Sequence, residues 1–325
     1  MDTKFNELEN LSKKSKNIAD ELRDELGVMP HKIKGNFIAF FGRQFNPKYK
    51  WNRVLKPLWS GFYIKYNDLE LMVDPGINIL ERAQKIGVNL SRTNTLFISH
   101  AHIDHSHDAN VIAEMVSYRK DSFLNVLMSK ETNEERVMSH YHLKLENSIK
   151  LNLLEDKIAI SLFNDISLSP IKVVHSINGS FGFVLDLEGI KIGYTGDTGF
   201  CLTYKSKDGL NFNINDKIDK SNIEEAGVFN DNLKSAFSNT DYLIFNLHDV
   251  SFRKKTKHNI YHSTVNDAIQ VLSGSMIKKC FIEHFNPFGS LGKKYPKKVV
   301  NYLKDTTRKD VVLIPLNGFI LPLKK

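Results

Sequence analysis

Three histidines and one aspartate lie within six consecutive residues, in the segment His100-Ala101-His102-Ile103-Asp104-His105. Imidazole nitrogens and carboxylate oxygens are the ligands that zinc and similar divalent metals take in proteins. On a turn that leaves a strand, His100 and His102 can point the same way, while Asp104 and His105 are offset to one side. This segment can therefore supply ligands to two adjacent metal positions. The alternative is a histidine-rich surface loop.

Short apolar runs and helical stretches surround this segment. Thr95–Ser99 predicts the strand that leads into it, and Asp108–Tyr118 predicts the helix that follows. Other helices are predicted near 80–85, 229–238, 263–273 and 296–304. Other strands are predicted at Phe37–Phe41, Gly61–Tyr66, Leu69–Val73, Ile158–Leu162, Ile171–Val174, Phe181–Leu187, Ile190–Tyr194, Tyr242–Phe245, Cys280–Glu283, Val311–Ile314 and Phe319–Leu321. Strand clusters separated by helices favour an α+β chain with two sheets covered by helices on their outer faces.

The chain divides at about residue 33. Residues 1–33 are predicted as a helical extension, because apolar side chains recur at helical steps between residues 4 and 26 and Gly27 follows as a C-cap. We expect its apolar stripe to pack back on the domain; the alternative is that it docks on a second copy or on another protein. Residues 34–325 are predicted as one catalytic domain, with a polar surface insertion at about 203–228 that either caps the site or binds a partner.

Five further segments follow the expected order of a known superfamily. They are Phe40-Phe41-Gly42, the turn Asp74-Pro75-Gly76, His175, Asp197 in Gly196-Asp197-Thr198, and His284. Together with the histidine segment they resemble the metallo-β-lactamase superfamily, whose hallmark is His-x-His-x-Asp-His at the end of a strand. The resemblance covers roughly residues 35–322 and implies a four-layer αββα sandwich.

The resemblance also implies a ligand set for two divalent metal ions. It places His100, His102 and His175 on one ion. It places Asp104, His105 and His284 on the other, with Asp197 bridging the two. Zinc is the expected metal, with manganese and iron as alternatives. Two such ions about 3.5–4 Å apart lower the pKa of a bridging water, so that hydroxide is available as the nucleophile. Asp104 would also orient it.

A second motif resembles the phosphodiesterase branch, typified by the tRNA-processing ribonuclease Z. This motif is Tyr261-His262-Ser263-Thr264. The resemblance implies that His262 lies beside the scissile phosphate as a general acid or phosphate clamp. The alternative is that His262 only caps the helix that starts near Ser263.

The chain departs from ribonuclease Z at three places. His175 and Asp197 are 22 positions apart, which leaves no room for the tRNA-binding arm of that enzyme. The glutamate that partners its catalytic histidine is replaced near Asn246, although His248 lies close by. Asp108 stands where a glycine is usual, so that His107 and Asp108 are either additional site residues or helix-starting polar groups. We expect the latter.

Positive charge is concentrated in the last quarter of the chain. The net charge is +8, but residues 251–325 carry +11 and the rest carries −3. One explanation is a polyanionic substrate such as RNA, single-stranded DNA or a phosphorylated small molecule. The other is a lysine-rich surface. We predict substrate contacts from His248 and from the basic cluster Arg253, Lys254 and Lys255.

Cysteine usage and hydropathy bear on the compartment. Cys201 and Cys280 lie far apart in the chain, so that two buried thiols are expected rather than a disulfide. No apolar run approaches the roughly 18 residues that would suggest a membrane span. The first residues lack the pattern of a secretory signal. We therefore expect a cytoplasmic protein.

Three functions compete at this point. The first is a phosphodiesterase or nuclease, which rests on His262, the basic last quarter and the order of the motifs. The second is a hydrolase of uncharged esters, lactones or lactams that uses the same two metals. The third is a metal-bearing subunit whose main task is assembly through the 4–26 helix and the 203–228 insertion.

Overall fold

Two large β-sheets form the centre of the protein. The structure, a computed structural model, describes residues 9–18, 21, 30–42, 61–119, 122–214, 223–249, 260–284, 295–315 and 317–323. The first sheet has seven strands in the order β18-β1-β2-β3-β4-β5-β6. These strands are β1 (Phe37–Phe40), β2 (Phe62–Tyr66), β3 (Leu69–Val73), β4 (Thr95–Phe97), β5 (Leu124–Met128), β6 (Ile149–Leu153) and β18 (Phe319–Pro322).

The second sheet has the order β17-β16-β14-β10-β9-β8-β7, and the short strand β15 pairs with β14. These strands are β7 (Ile160–Phe163), β8 (Ile166–Lys172), β9 (Phe181–Leu187), β10 (Ile190–Tyr194), β14 (Tyr242–Asp249), β15 (Ser263–Thr264), β16 (Lys279–Glu283) and β17 (Asp310–Leu313). A small third sheet, with the order β12-β11-β13, consists of β11 (Thr203–Ser206), β12 (Asn211–Asn213) and β13 (Ile223–Ala226).

Helices cover the outer faces of the two large sheets. The described helices are α1 (residues 9–18), α2 (Ile79–Ile86), α3 (Ile103–Ser106), α4 (Ala109–Ser117), α5 (Lys130–Glu134), α6 (His140–Leu143), α7 (Asp231–Ser238), α8 (Val265–Leu272) and α9 (Tyr295–Thr307). A 3₁₀ turn spans Leu90–Arg92. The inner faces of both sheets share one apolar cluster, which includes Phe62 from the first and Phe183 from the second.

The alternation of side chains along the strands produces these layers. In β2, Phe62 and Ile64 belong to the cluster between the sheets, whereas Tyr63 belongs to the cluster under α2 and α4. This is the two-residue period of a strand that is buried on both faces. A third cluster lies under α7, α8 and α9 on the outer face of the second sheet. The predicted four-layer αββα sandwich is confirmed.

Predicted and observed elements agree best where an apolar run ends at a turn. The runs Leu69–Val73, Phe181–Leu187 and Ile190–Tyr194 are strands with the predicted bounds. The strands Leu124–Met128 and Ile149–Leu153 were not predicted. They are short segments that become strands by adding to the parallel edge of the first sheet, a tertiary pairing that local patterns do not encode.

The polar insertion is more ordered than its composition indicates. The insertion predicted at about 203–228 contains the small sheet β12-β11-β13. Tyr204 and Phe212 are buried within that sheet. Two buried aromatic residues are enough to give a short sheet an inner face, although the stretch is polar.

The N-terminal helix buries none of its described side chains. Leu11 and Ile18 are exposed, at 61% and 51% of their full area, so that the expected packing against the domain is absent from the described part of α1. Docking of this helix on a partner remains a prediction, as does the division at residue 33. Cys201 and Cys280 are both buried thiols, which confirms the prediction. None of the helices in the described ranges combines the length and apolar content needed to cross a bilayer.

Candidate metal centre

The predicted ligands lie at one edge of the sandwich, where strands of both sheets end. β4 ends at Phe97, and the turn that follows carries His100 and His102. The single helical turn α3 then carries Asp104 and His105. Parallel strands of one sheet present their carboxyl ends at a common edge, and ligand sites of α/β sheets form there.

The second sheet delivers the remaining three predicted ligands to the same edge. Asp197 follows β10, and His284 follows β16, which are the two neighbours of β14 and run parallel to it. His175 follows β8, and the adjacent Val174 forms an isolated bridge with Gly199. The structure thus brings all seven residues together although they span 185 positions of sequence, from His100 to His284.

The first group of donors consists of three imidazoles. His100 Nε2 lies 3.0 Å from His102 Nδ1, and His175 Nε2 lies 3.1 Å from the same atom. His100 and His175 are buried and His102 is half-buried. One donor atom from each ring can face a common point, with all three atoms within 4.8 Å of one another.

The second group combines imidazoles with carboxylates. His284 Nε2 lies 3.2 Å from Asp197 Oδ2 and 3.6 Å from Asp104 Oδ2. His105 Nε2 lies 3.3 Å from His284 Nε2 and 3.5 Å from Asp197 Oδ2. Asp104, His105 and His284 can face one point, and Asp197 joins His100 and His105 in an adjacent set. Asp197 therefore lies between the two groups.

Hydrogen bonds at the far side of three rings fix which nitrogen faces the centre. His175 Nδ1 donates to the Tyr261 carbonyl oxygen at 3.0 Å. His105 Nδ1 donates to Asp74 Oδ2 at 2.8 Å. His100 Nδ1 donates to Ser99 Oγ at 2.9 Å, because the hydroxyl proton of Ser99 is engaged with Asp74 Oδ2. A neutral imidazole has one N–H, so that the Nε2 lone pair of each ring, in its neutral form, points into the shared space.

This arrangement fits a metal site. Ring nitrogens at 3.0–3.3 Å cannot all be joined by hydrogen bonds, since converging lone pairs repel unless a cation lies between them. Donation of the outer N–H to a carboxylate or a carbonyl is the usual support of a metal-binding histidine. The donor set of histidine nitrogens and aspartate oxygens suits zinc and other borderline divalent ions.

The electrostatics give four of the donors the charge states that a cation requires. Burial lowers the pKa of His100 and of His175 well below the usual range, so that both rings are neutral. Burial disfavours ionisation of Asp197 and Asp104, yet the neighbouring histidines outweigh it and hold both pKa values below the usual range. Burial also opposes protonation of His105, but the carboxylates of Asp197, Asp104 and Asp74 raise its pKa. A metal would take the place of that proton.

Sequence patterns missed a network of hydrogen bonds behind the ligands. Asp74 is fully buried and accepts from Tyr194 Oη at 2.6 Å as well as from His105. Asn246 Nδ2 donates to Asp197 Oδ1 at 2.9 Å and lies 3.3 Å from Tyr194 Oη. These residues connect Asp197 to His105 through side chains that do not face the centre. A buried aspartate directly after a strand was the one sequence signal for this network.

His262 lies at the mouth of the centre. Its Nε2 is 3.7 Å from Asp197 Oδ2, and its side chain is 18% exposed. Its ring is perpendicular to that of His175, with 5.0 Å between the centroids. The N-cap of α8 is Thr264, whose side chain forms a capping box with Asp267. The interpretation of His262 as a helix cap is therefore wrong.

His248 is the neighbour that the structure gives to His262. The two ring centroids are 4.0 Å apart, because β15 pairs in parallel with β14 directly after His262. His248 is buried and its ring also lies 5.8 Å from that of His284. The predicted substrate residue His248 is thus at the site, whereas Arg253, Lys254 and Lys255 lie outside the described residues.

Asp108 has a structural contact rather than a place among the ligands. Its Oδ2 accepts from the Ile79 backbone N–H at 2.9 Å, at the first turn of α2, and its Oδ1 accepts from His107 Nδ1 at 2.7 Å. A carboxylate at a helix N-terminus is stabilising. This agrees with the prediction that His107 and Asp108 are helix-terminal polar groups.

A cavity of about 870 Å³ opens beside the centre. His175 and Tyr261 line its inner end. Leu202 and Ile214 from the small sheet line one side, and Lys172 is also at its wall. Its volume is in the range of pockets that take small-molecule ligands, about 300–1,000 Å³.

Solved structures share this architecture. The metallo-β-lactamase fold protein YhfI of Bacillus subtilis aligns over 89% of this chain and 99% of its own, with a TM-score of 0.61 and 14% identity. This chain has the metallo-β-lactamase fold. A diphosphatase of the PhnP family aligns with a TM-score of 0.56 and 14% identity, over 89% of this chain and 98% of its own. The short form of human tRNase Z aligns with a TM-score of 0.55 and 15% identity, over 89% and 100%.

Sequence comparisons reach only part of the metallo-β-lactamase-fold chain. A family described as "Anti-Pycsar protein Apyc1" matches residues 59–211, a segment that includes the histidine motif and Asp197. An uncharacterized protein of Methanocaldococcus jannaschii is 35% identical over 155 residues, which cover 45% of this chain. The match spans 56% of the length of that relative.

Proposed function

We propose that this protein is a metal-dependent phosphodiesterase. The observation that carries the proposal is the convergence of two donor groups, which share Asp197, with His262 at their mouth. The first group would hold one divalent ion and the second the other, with Asp197 between them. Zinc is the proposed metal, because the set is rich in imidazole. When bound, the ions would supply Lewis acidity that makes water nucleophilic at neutral pH and balances charge on the phosphoryl group.

The carboxylate of Asp104 is placed to orient the attacking water. Its side chain is 18% exposed, whereas that of Asp197 is 3% exposed. Its lowered pKa keeps it ionised, so that it accepts a hydrogen bond from water on the open side of the centre. Asp104 would therefore orient the attacking water, whereas Asp197 is enclosed by the surrounding side chains.

The imidazole of His262 is placed to contact the phosphate or the leaving oxygen rather than the attacking water. It lies at the mouth, next to Asp197 and His175, where a substrate must enter. From there it can clamp a phosphate oxygen or give a proton to the leaving oxygen. The ring of His248 lies at a tilt of 33° to it, 4.0 Å away between centroids, and limits its rotation.

A phosphodiester is the substrate class that these positions favour. An uncharged ester has no anionic oxygen that the His262 imidazole at the mouth of the site could bind. Two proteins that share the fold are described as a diphosphatase and a tRNase, although at 14% and 15% identity they support the fold more than the substrate. RNA, single-stranded DNA and nucleotides are the proposed candidates, with Arg253, Lys254 and Lys255 as contacts. Two buried thiols agree with a cytoplasmic protein.

The test combines metal content with hydrolysis of bis(p-nitrophenyl) phosphate. Wild type, Asp104→Ala and His262→Ala would be compared with His140→Ala, which changes an exposed histidine on α6. We expect about two metal ions per chain and activity lost in the first two variants but retained in the third. The His262→Ala protein should keep its metal.

Other outcomes separate the competing functions. Two ions without phosphodiester hydrolysis, but with hydrolysis of p-nitrophenyl acetate or a lactone, would favour the ester hydrolase. Two ions without either activity would favour a metal-bearing assembly subunit, and size-exclusion chromatography with and without residues 1–30 would then test self-association. A wild-type protein that binds no divalent metal would refute the proposal.

A further inference from the structure

The small sheet β12-β11-β13 packs on the chain segment that carries His262. A separate apolar cluster joins the two. Its members are Cys201, Tyr204, Phe212, Ile214 and Ile260, with Val174, Phe229 and Tyr261 packed against it. Ile260 is fully buried in this cluster, two residues before His262. The small sheet therefore packs against the backbone segment that forms the mouth of the site.

The backbone at Gly199, just before the insertion, also lies close to the segment that carries His262. Gly199 lies against Ile260, and a Cβ at position 199 would overlap the Ile260 carbonyl oxygen. Glycine is required here by close contact. Gly199 also bridges Val174, the residue before His175. The two approaches fix the spacing between residues 174 and 260.

Tyr204 forms the one described side-chain hydrogen bond from the small sheet to residue 260. Its hydroxyl is shared between the carbonyl oxygens of Ile260 and Cys201, at 3.2 Å each. Tyr204 is fully buried, and its ring lies 6.0 Å from that of Phe212. A buried hydroxyl that lost these acceptors would be left unsatisfied, so the contact holds the Ile260 carbonyl in one position.

Residues 260–262 contact both sides of the proposed site. The Tyr261 carbonyl oxygen accepts the Nδ1 proton of His175 and so turns His175 Nε2 toward the first donor group. His262 follows directly and faces Asp197. A shift of this segment would therefore move an outer support of a proposed metal ligand and the proposed phosphate contact together.

We propose that the small sheet is a clamp for residues 260–262 and that Tyr204 is the positioning residue through which it acts. The insertion is then part of the catalytic machinery, by holding His262 and orienting His175, and not primarily a docking element. This inference rests on the proposed function for the roles of His262 and His175, but the contacts themselves do not depend on it.

The experiment compares Tyr204→Phe with Tyr66→Phe. Both remove only a hydroxyl from a buried tyrosine, and Tyr66 donates to Glu188 on the far side of the fold. We expect Tyr204→Phe to lower kcat on bis(p-nitrophenyl) phosphate about tenfold, since small displacements of a catalytic group have effects of up to about a hundredfold. Metal stoichiometry should be unchanged. Tyr66→Phe should retain wild-type kcat.

Two further measurements distinguish positioning from general destabilisation. In a His262→Ala background, Tyr204→Phe should lower the residual kcat by less than it does in the wild-type background, because the effect through His262 is gone and only the effect through His175 remains. In the metal-free protein, the ring ¹H–¹⁵N signals of His175 and His262 should shift in Tyr204→Phe and stay in place in Tyr66→Phe. Phe212→Leu, which alters the same cluster from the other side of the Tyr204 ring, should shift the same two signals.

The outcomes decide the inference independently of the proposed function. Unshifted ring signals in both Tyr204→Phe and Phe212→Leu would overturn it, as would a full additional loss of kcat in the His262→Ala background. If the wild-type protein hydrolyses no phosphodiester, the proposed function fails, whereas shifted ring signals would still support the clamp.

Discussion

Two buried polar clusters within the described residues differ in how their hydrogen-bond donors and acceptors are matched. The first surrounds Glu70, where the 3₁₀ turn meets the first sheet. Glu70 accepts from Tyr63 and His31 at 2.8 Å each and from Arg92 at 3.2 Å. His31 Nδ1 accepts from the Asn89 backbone, so that its Nε2 carries the proton for Glu70. Each of these contacts joins a donor to an acceptor.

The candidate metal centre is built from similar residue types, but its hydrogen-bond donors and acceptors are not matched in this way. The outer nitrogens of His100, His105 and His175 are committed to acceptors, and their inner lone pairs converge. A satisfied cluster stabilises the fold by itself, whereas a cluster of converging acceptors is complete only with a cation. The type of residue does not separate the two clusters. The direction of each donor and acceptor does.

Removal of Asp197 should break the function and spare the fold. We expect Asp197→Ala to lower phosphodiester hydrolysis by about a thousandfold, because the two donor groups lose the carboxylate they share. The metal-free variant should lose less stability to urea, relative to the metal-free wild type, than Glu70→Ala loses. Hydrolysis rates and urea unfolding would be measured on the same preparations, and a large loss of stability in Asp197→Ala would contradict the comparison.

Removal of Glu70 should have the reverse effect. Glu70→Ala leaves His31, Tyr63 and Arg92 without their shared acceptor, and such a loss costs about 3–5 kcal/mol of the free energy of unfolding. The rate of hydrolysis at 25 °C should stay at the wild-type level while the protein is folded. Glu155→Ala, which removes an exposed glutamate, is the control and should change stability by less than about 0.5 kcal/mol.

Asn246 tests the support of the metal centre without touching the donors. Its amide donates to Asp197 Oδ1, so that Asn246→Ala frees the carboxylate to rotate. We expect metal affinity to fall about tenfold to a hundredfold, which is the usual effect of losing such a support. Calorimetric titration of the metal-free protein with Zn²⁺ would measure it. Asn152→Ala, on β6, should titrate like the wild type.

The smallest expected effect is on the pH dependence of stability. Burial disfavours the charged form of Glu70, but hydrogen bonds from His31 and Tyr63 outweigh it and lower its pKa below 4.5. A carboxylate with a depressed pKa stabilises the fold above its unfolded pKa, and this stabilisation is lost as the pH falls through the folded value. Glu70→Gln should therefore flatten the loss of stability below about pH 4.5. Urea unfolding from pH 7 to about pH 3 would show the same pH dependence in Glu70→Gln and the wild type if Glu70 contributes nothing.

The sequence determined much of the sandwich and the ligand set. A strand followed by four donors in six residues is a local pattern, and its companions His175, Asp197 and His284 could be recognised by their order. Runs such as Leu69–Val73 and Phe181–Leu187 have a strand pattern with clear ends. These features depend on residues that are neighbours in the chain, so that they can be predicted from spacing and residue type.

Only the tertiary structure decided which residues support the site. Asn246 reaches Asp197 across 49 positions and Tyr204 reaches Ile260 across 56. Neither contact leaves a periodic signal, because each depends on where two distant strands end. The small sheet leaves no periodic signal either. Its inner face consists of Tyr204 and Phe212 and depends on the surface against which they pack. The donors are recognisable from short-range sequence, whereas their orientation depends on packing between segments that are far apart in the chain.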